Sequence, residues 1–167
     1  MSLQEKLHSF LVPSFDGRFF IRLAVLIAVT VTICRFVVTP AFTNGESMVP
    51  TYRSGQFVPV WRPAFWFSAP QAGQVVMIRY GGEQVLLLKR VVATAGQTVE
   101  FRRGKLFIDG AECTDSWASF TPCDWELEPR TVPEGEVYVV GDNRDMLMES
   151  HLFGHVAIEL IVGVPLW

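Results

Sequence analysis

A short turn-forming stretch, residues 44–51, contains a serine that could act as a nucleophile. Ser47 lies between Gly45 and Pro50, and glycine and proline together allow a sharp, rigid turn. In such a turn a serine can direct its hydroxyl and its own backbone N–H toward one point, as an acyl-transfer nucleophile requires. By itself the stretch favours an ordinary turn, because most serines between glycine and proline only shape the chain.

A lysine in an apolar run is the second candidate. Strand alternation over residues 85–92 places Val85, Leu87, Lys89 and Val91 on one face. Apolar neighbours desolvate a lysine and lower the pKa of its amine, and a neutral amine can take the proton of a serine hydroxyl. The alternative is a lysine at a strand edge that reaches solvent, and the run taken alone favours that alternative.

The elements that must position these residues begin with an apolar run near the N-terminus. Residues 19–38 are interrupted only by Arg22 and Arg35, and a helix of that length spans a bilayer core of about 30 Å. We therefore predict a tail over residues 1–18, a transmembrane helix over 19–38 and one domain over 39–167. A buried soluble helix and a cleaved signal peptide are the alternatives, and no small-residue cleavage site is obvious after the run.

Charge is divided between the two ends of the chain. Residues 1–40 carry four basic and two acidic residues, and the remainder carries ten basic and fifteen acidic residues. An acidic body argues against a nucleic-acid partner, since phosphate binding needs a basic face. Lys6, Arg18 and Arg22 precede the apolar centre of the run, which favours a single-pass protein of the cytoplasmic (inner) membrane with a cytoplasmic N-terminus and an extracytoplasmic domain.

The rest of the sequence indicates a mostly β fold. Short runs rich in β-branched and aromatic residues alternate with glycine and proline turns, and nothing after the span has a strong helical period. We predict a compact antiparallel β domain built from hairpins. The aromatic segment 61–67 either packs against that domain or rests in the membrane interface, where tryptophan is common.

Two cysteines suggest a disulfide. Cys113 and Cys123 lie in a segment without a clear period, and an extracytoplasmic location permits a bridge that would stabilise by roughly 2–3 kcal/mol. Two unpaired thiols are the alternative. A metal site is not predicted, because no histidine lies near the pair, and Cys34 in the span serves as a small apolar residue.

Three motifs after a single span resemble type I signal peptidases, and the resemblance covers residues 36–154. These enzymes are membrane-bound Ser-Lys endopeptidases that remove signal peptides from exported preproteins and need neither cofactor nor metal. The motifs are Gly45-x-Ser47-Met48-x-Pro50-Thr51, Lys89-Arg90-Val91-x-Ala93-x-Ala95-Gly96 and Gly141-Asp142-Asn143-Arg144-Asp145.

The resemblance implies roles for individual residues. Ser47 is the expected nucleophile and Lys89 the expected general base. The oxyanion hole is expected at Ser47 and Gly45, where the N–H of Ser47 donates and the glycine offers no side-chain donor. Supporting roles are expected for Arg90, Asp142, Asn143, Arg144 and Ser150.

The resemblance also implies how a substrate binds. An extended preprotein segment is expected to pair with the strand edges at residues 42–45 and 85–88, with alanine at positions P1 and P3. The expected substrate-binding residues are Phe42, Thr43, Asn44, Met48, Leu87 and Leu88.

The chain departs from the family after the third motif. Leu147 stands where a serine commonly hydrogen-bonds the lysine amine, so water or Ser150 is expected to replace it. His151 replaces an arginine, so its ion pair with Glu149 is expected to be weak at neutral pH. These departures leave two further interpretations open: a catalytically silent relative that binds exported proteins, and a peptidase dedicated to one pilus or secretion substrate.

Self-cleaving repressors also use a serine and a lysine. They carry a DNA-binding domain and no membrane span, so the apolar run excludes them.

Overall fold

The structure, a computed structural model, describes residues 16–80, 85–151 and 154–167. The predicted tail over residues 1–18 lies almost entirely outside these ranges. The chain divides into two compact units, Met1–Val37 and Val38–Trp167.

The first unit contains helix α1, Gly17–Phe36, which is long and apolar enough to cross a membrane. The Asp16 side chain caps it by accepting a hydrogen bond of 2.9 Å from the N–H of Phe19, which satisfies one free donor of the first turn. The helix begins and ends two residues earlier than the predicted span of 19–38, because Asp16 caps its start and the chain enters strand β1 at Val38. A β-branched run directly before Pro40 favours that extended conformation.

The second unit is mostly antiparallel β, as predicted. The strands of its larger sheet are β1 (Val38–Phe42), β2 (Phe57–Trp61), β3 (Val75–Tyr80), β4 (Val85–Thr94), β9 (Glu136–Val140), β10 (Gly154–Ala157) and β11 (Ile161–Pro165). Those of its smaller sheet are β5 (Thr98–Arg102), β6 (Lys105–Ile108), β7 (Ala111–Glu112) and β8 (Leu127–Thr131). The seven strands of the larger sheet lie in the order β1-β2-β11-β3-β4-β9-β10, and the four of the smaller sheet in the order β7-β6-β5-β8.

Strand β4 connects the packing of the whole unit. Its residues Val92 and Ala93 belong to a core cluster shared with the smaller sheet, in which Phe101 and Trp125 stack edge to face at 5.4 Å. Its Leu88 packs with Met48 and residues of β2 and β3 in a second cluster. Val91 belongs to a third cluster, with residues of β3 and β9. A strand buried on both faces reads as a continuous apolar run, which is what residues 85–93 show apart from two basic residues.

The predicted disulfide is not formed in the structure. Cys113 and Cys123 are free thiols, and the sulfur of Cys113 lies 3.7 Å from the Asp115 carboxylate. Each cysteine packs separately against the cluster that contains Phe101. Ten positions of separation do not bring two Cβ atoms within the roughly 4 Å that a bridge requires, and the course of the loop decides that distance.

The aromatic segment 61–67 divides between the two predicted locations. Phe65, at the end of a 3₁₀ helix from Arg62 to Phe65, packs against the cluster that contains Val91. Trp66 and Phe67 are exposed, with Phe67 at 96%. These two and Trp61, which is 40% exposed, are therefore the aromatic residues of the segment that can meet another surface.

Candidate active site

Ser47 lies in a tight turn that follows β1 and precedes β2. The turn is closed by hydrogen bonds from Val49 N–H to Glu46 C=O (3.1 Å) and from Tyr52 N–H to Met48 C=O (2.9 Å). Gly45 has φ of +95°, a conformation that residues with a Cβ rarely adopt. Met48 is buried beneath the turn, and this anchor holds the half-buried Ser47 at the surface of the domain.

Lys89 lies on β4 and is only 3% exposed. It pairs with Val76 of β3, and it shares a cavity of about 260 Å³ with Leu87, Ile78 and Val139. Burial lowers the pKa of Lys89 to about 8, and the Asp142 carboxylate opposes this shift only in part. The expected desolvation of this lysine is present in the structure, because the apolar alternation of β4 continues into the neighbouring strands.

Gly141 is the point at which the serine turn and the lysine strand meet. Strand β9 ends at Val140, which pairs with Arg90, and continuing that register by one residue places Gly141 beside Lys89. A Cβ on Gly141 would collide with the carbonyl oxygen of Ser47 and would lie 2.6 Å from Cε1 of His151. Only a glycine allows this approach. In the part of the chain that the structure describes, no direct hydrogen bond joins the Ser47 hydroxyl to the Lys89 amine.

A buried ion pair fixes the third motif to β4. Arg90 Nε and Nη2 donate to the two oxygens of Asp142 at 2.8 and 2.6 Å, and Nη1 donates to Gly73 C=O at 2.5 Å. The Thr51 hydroxyl donates to the same carboxylate. Two-point pairing of this kind is strong and directional, so the serine turn and β4 are held by one carboxylate.

Asn143 fastens the serine turn directly. Its backbone N–H donates to Ser47 C=O at 3.0 Å, and its side-chain amide donates to Glu46 C=O at 3.1 Å. Arg144 points elsewhere: it is buried, donates to Ala118 C=O and lies over the ring of Phe101. Asn143 therefore positions the turn, whereas Arg144 holds the segment after β7.

Backbone N–H groups near the hydroxyl differ in what they bind. The N–H of Gly45 donates to the Ser54 hydroxyl at 3.2 Å. The N–H of Ser47 makes no hydrogen bond with any residue that the structure describes. Of these two donors, the N–H of Ser47 is the one free for an oxyanion.

Five of the six expected substrate-binding residues line one small cavity of about 70 Å³ beside Ser47. They are Phe42, Thr43, Asn44, Met48 and Leu88, and they are joined there by Gly45, Tyr52 and Leu86. Leu87 lies on the opposite face of β4 and lines the larger cavity with Lys89. Strand alternation could have supplied Leu86 in place of Leu87, because residues two apart share a face.

Two strand edges next to this cavity have backbone groups without a hydrogen-bond partner in the described part of the chain. Thr43 bonds Gln56 and Gly55 through its N–H and C=O, so the corresponding groups of Phe42 and Asn44 point to the other side of the strand. β9 pairs with β4 only from Arg90 to Thr94, so one edge of residues 85–88 has no strand partner among the residues that the structure describes.

The residues that depart from the family pattern after the third motif lie in positions different from those expected. Leu147 is 66% exposed and borders a separate cavity with Pro122 and Arg144, away from the cavity of Lys89. Ser150 is exposed at the end of a 3₁₀ helix. His151 does not pair with Glu149; it is buried, and its Nε2 lies 2.6 Å from Asn143 C=O.

A comparison with known protein families assigns the chain to one of them. The sequence profile of the family described as Signal peptidase, peptidase S26, matches residues 17–166, nearly the whole chain. The chain belongs to this signal peptidase family. The match includes helix α1 and both sheets, and it confirms the resemblance drawn from the three motifs.

Several individual proteins are similar to this chain. Thylakoidal processing peptidase 1 of Arabidopsis thaliana is 33% identical over 153 residues, covering 84% of this chain and 45% of that protein. Probable signal peptidase I-1 of Synechocystis is 31% identical over 140 residues, covering 79% and 71%. A crystal structure of a signal peptidase I from Enterococcus faecalis is 26% identical with a TM-score of 0.44, covering 58% of this chain and 97% of that one. The chain therefore spans less than half of the length of the plant relative. The apolar helix and the bacterial relatives fit a membrane-anchored protein.

Several residues at the site were not predicted from the sequence. Gly141 was treated only as part of a motif, although its place between a strand and a polar run could have suggested a close approach. Thr51 was likewise only part of a motif, and Tyr52 gave no signal as a site residue. Each acts through a contact distant in sequence: Thr51 with Asp142, and Tyr52 with the Trp167 carbonyl at 2.7 Å.

Proposed function

We propose that this protein is a membrane-anchored serine endopeptidase that removes signal peptides from exported preproteins. The observation that carries the proposal is the meeting of Ser47, Lys89 and Gly141 at the end of β9, with a lysine whose pKa is lowered to about 8 by burial. A neutral amine is available there at mildly alkaline pH, which is the requirement for a lysine base.

Ser47 and Lys89 divide the chemistry between them. The Oγ of Ser47 attacks the scissile carbonyl carbon while its proton passes to Nζ of Lys89. The free N–H of Ser47 donates to the oxygen that becomes negative. When the C–N bond breaks, the ammonium of Lys89 gives a proton to the leaving amine. Water then attacks the ester carbon while Lys89 accepts its proton, and that proton returns to Oγ of Ser47 as the ester bond breaks.

The open strand edges supply the binding mode. A preprotein segment in extended conformation pairs with residues 42–44 on one side and 85–88 on the other, which adds one strand between two existing ones. The cavity of about 70 Å³ beside Ser47 accepts a small side chain and rejects a large one, so alanine at P1 and P3 is favoured.

The membrane arrangement follows from the helix and the charge bias. Helix α1 anchors the chain in the inner membrane, with the N-terminus in the cytoplasm and the β unit outside. Exposed Trp66 and Phe67 suit the interfacial region near the lipid. Protease added to intact spheroplasts should digest the β unit, and complete protection would contradict this orientation.

Activity is tested with the full chain in detergent micelles against a panel of preproteins. The parent should cleave after a small residue, and both Ser47→Ala and Lys89→Arg should be inactive, because a guanidinium stays charged and cannot act as a base. A serine-directed acylating probe should label the parent but not Ser47→Ala. A parent that binds preproteins without cleaving them or reacting with the probe would instead identify a silent relative.

A further inference from the structure

The imidazole of His151, which is not part of the three motifs, is buried beside Lys89. It is 6% exposed, and it stacks edge to face on Trp125 with ring centroids 4.8 Å apart. It also lines the cavity of about 260 Å³ that contains Lys89. The packed imidazole ring therefore forms part of the wall of the cavity that contains Lys89.

One hydrogen bond determines which nitrogen of His151 carries the proton. Nε2 lies 2.6 Å from the carbonyl oxygen of Asn143, and a carbonyl oxygen only accepts, so Nε2 carries the hydrogen. In the neutral ring Nδ1 is then a bare acceptor. Burial and the nearby Lys89 and Arg144 cations lower the pKa of His151, and the hydrogen bond to Asn143 opposes them only in part. The pKa therefore lies below its ordinary value, and the ring is neutral at neutral pH.

Nδ1 has no hydrogen-bond partner among the residues that the structure describes, although it is buried. A buried acceptor without a donor is costly, and such an atom usually serves a group that reaches it. A Cβ built on Gly141 would lie 3.0 Å from this nitrogen, and Gly141 is the residue beside Lys89 in the β4–β9 register. Lys89 lies on strand β4 directly beside Gly141, and its long, flexible side chain can reach Nδ1 of His151.

From this geometry we propose that His151 is a positioning residue, and that its Nδ1 accepts a hydrogen bond from the Lys89 amine and so orients the amine's lone pair toward Ser47. The inference rests on the proposed function and specifies how its base is held. His151 takes over the orienting task that Leu147 cannot perform, since Leu147 has no polar atom and borders a different cavity. The imidazole remains neutral throughout: the proton that leaves Oγ passes to Nζ and from there to the leaving amine, and none passes to His151.

Two substitutions separate the two nitrogens of the ring. His151→Asn places an amide oxygen near the position of Nδ1 and retains an acceptor for the amine. His151→Gln reaches the position of Nε2, retains a donor to Asn143 C=O and has no acceptor near the Nδ1 position. His155→Gln is the matched control, because His155 lines the same cavity but is 30% exposed and lies 3.4 Å from the Glu136 carboxylate.

Cleavage rates against pH should separate a positioning role from a structural one. We expect His151→Gln to lower kcat about 100-fold with little change in KM, the order of loss that a misplaced catalytic group causes. Its pH profile should also shift to lower pH, because the ammonium form of Lys89 loses an acceptor while Asp142 remains. His151→Asn should keep the parent's pH profile and most of its rate, and His155→Gln should match the parent.

A spectroscopic measurement tests the contact without activity. In protein with ¹⁵N-labelled histidine, the Nδ1 resonance of His151 should show an accepted hydrogen bond in the parent and lose it in Lys89→Met. An unchanged resonance, or a His151→Gln variant with parental rate and pH profile, would overturn the inference. If the parent cleaves no preprotein and no probe labels Ser47, the proposed function fails, and the resonance still decides whether His151 holds the lysine.

Discussion

Replacing Lys89 with methionine should make the protein more stable at neutral pH, although it removes the proposed base. The Lys89 side chain is 3% exposed, and burial lowers its pKa from 10.5 to about 8. At about 1.4 kcal/mol per unit, this shift costs the charged form roughly 3 kcal/mol in the folded state. Methionine has a similar length, fits irregular apolar spaces and has no charge to desolvate.

The sign of the pH dependence follows from the direction of the shift. Because the folded pKa is lower than the unfolded one, the unfolded state binds more protons between about pH 8 and pH 10.5. The free energy of unfolding of the parent therefore rises with pH across that window. Below pH 8 the desolvation part of the advantage of Lys89→Met should be its full ~3 kcal/mol, and above about pH 10.5 only the differences in packing and in the hydrogen bond to His151 should remain.

The assay is urea unfolding of the full chain in detergent, followed by tryptophan fluorescence at pH 7 and at pH 10.5. Lys105→Met is the matched control, because Lys105 is exposed and pairs with Glu112 at 2.8 Å, and its replacement should give no gain. Ser47→Ala controls for the loss of activity alone. A Lys89→Met variant no more stable than the parent at pH 7, or one whose advantage does not shrink at pH 10.5, would refute a desolvated amine.

Three further predictions follow from the site and the loop. The parent's cleavage rate should rise with pH to half its maximum near pH 8, the pKa to which burial lowers Lys89; a rate independent of pH from 6 to 10 would exclude this base. Gly141→Ala should abolish cleavage, because its Cβ would collide with the serine turn and the imidazole; Gly17→Ala, where nothing lies within 4 Å of the added atom, should cleave as the parent does. Maleimide should label both Cys113 and Cys123 in the denatured protein without reductant, as expected of free thiols; labelling only after reduction would show that they are bridged.

Local signals in the sequence were sufficient to predict the secondary-structure elements and whether each is a helix or a strand. The apolar run, the alternation around Lys89 and the glycine and proline turns predicted one long helix and an antiparallel β unit, because these patterns depend on residues close together in the chain. The same alternation placed Lys89 on an apolar face, and so predicted the direction in which its pKa is shifted. The order of the three motifs identified the family.

Contacts between segments distant in sequence decided how the site is assembled and whether the two cysteines are bridged. The meeting of Ser47 and Lys89 at Gly141 depends on where β9 ends against β4, and a strand's register is set by the whole sheet. The free state of Cys113 and Cys123 depends on the course of a loop without a period. The sequence pointed to Leu147 as the residue beside the lysine, yet the chain turns it to solvent and places His151 in the cavity of Lys89. Side-chain identity determines what a residue can do chemically, but its neighbours across the fold determine which group it acts upon.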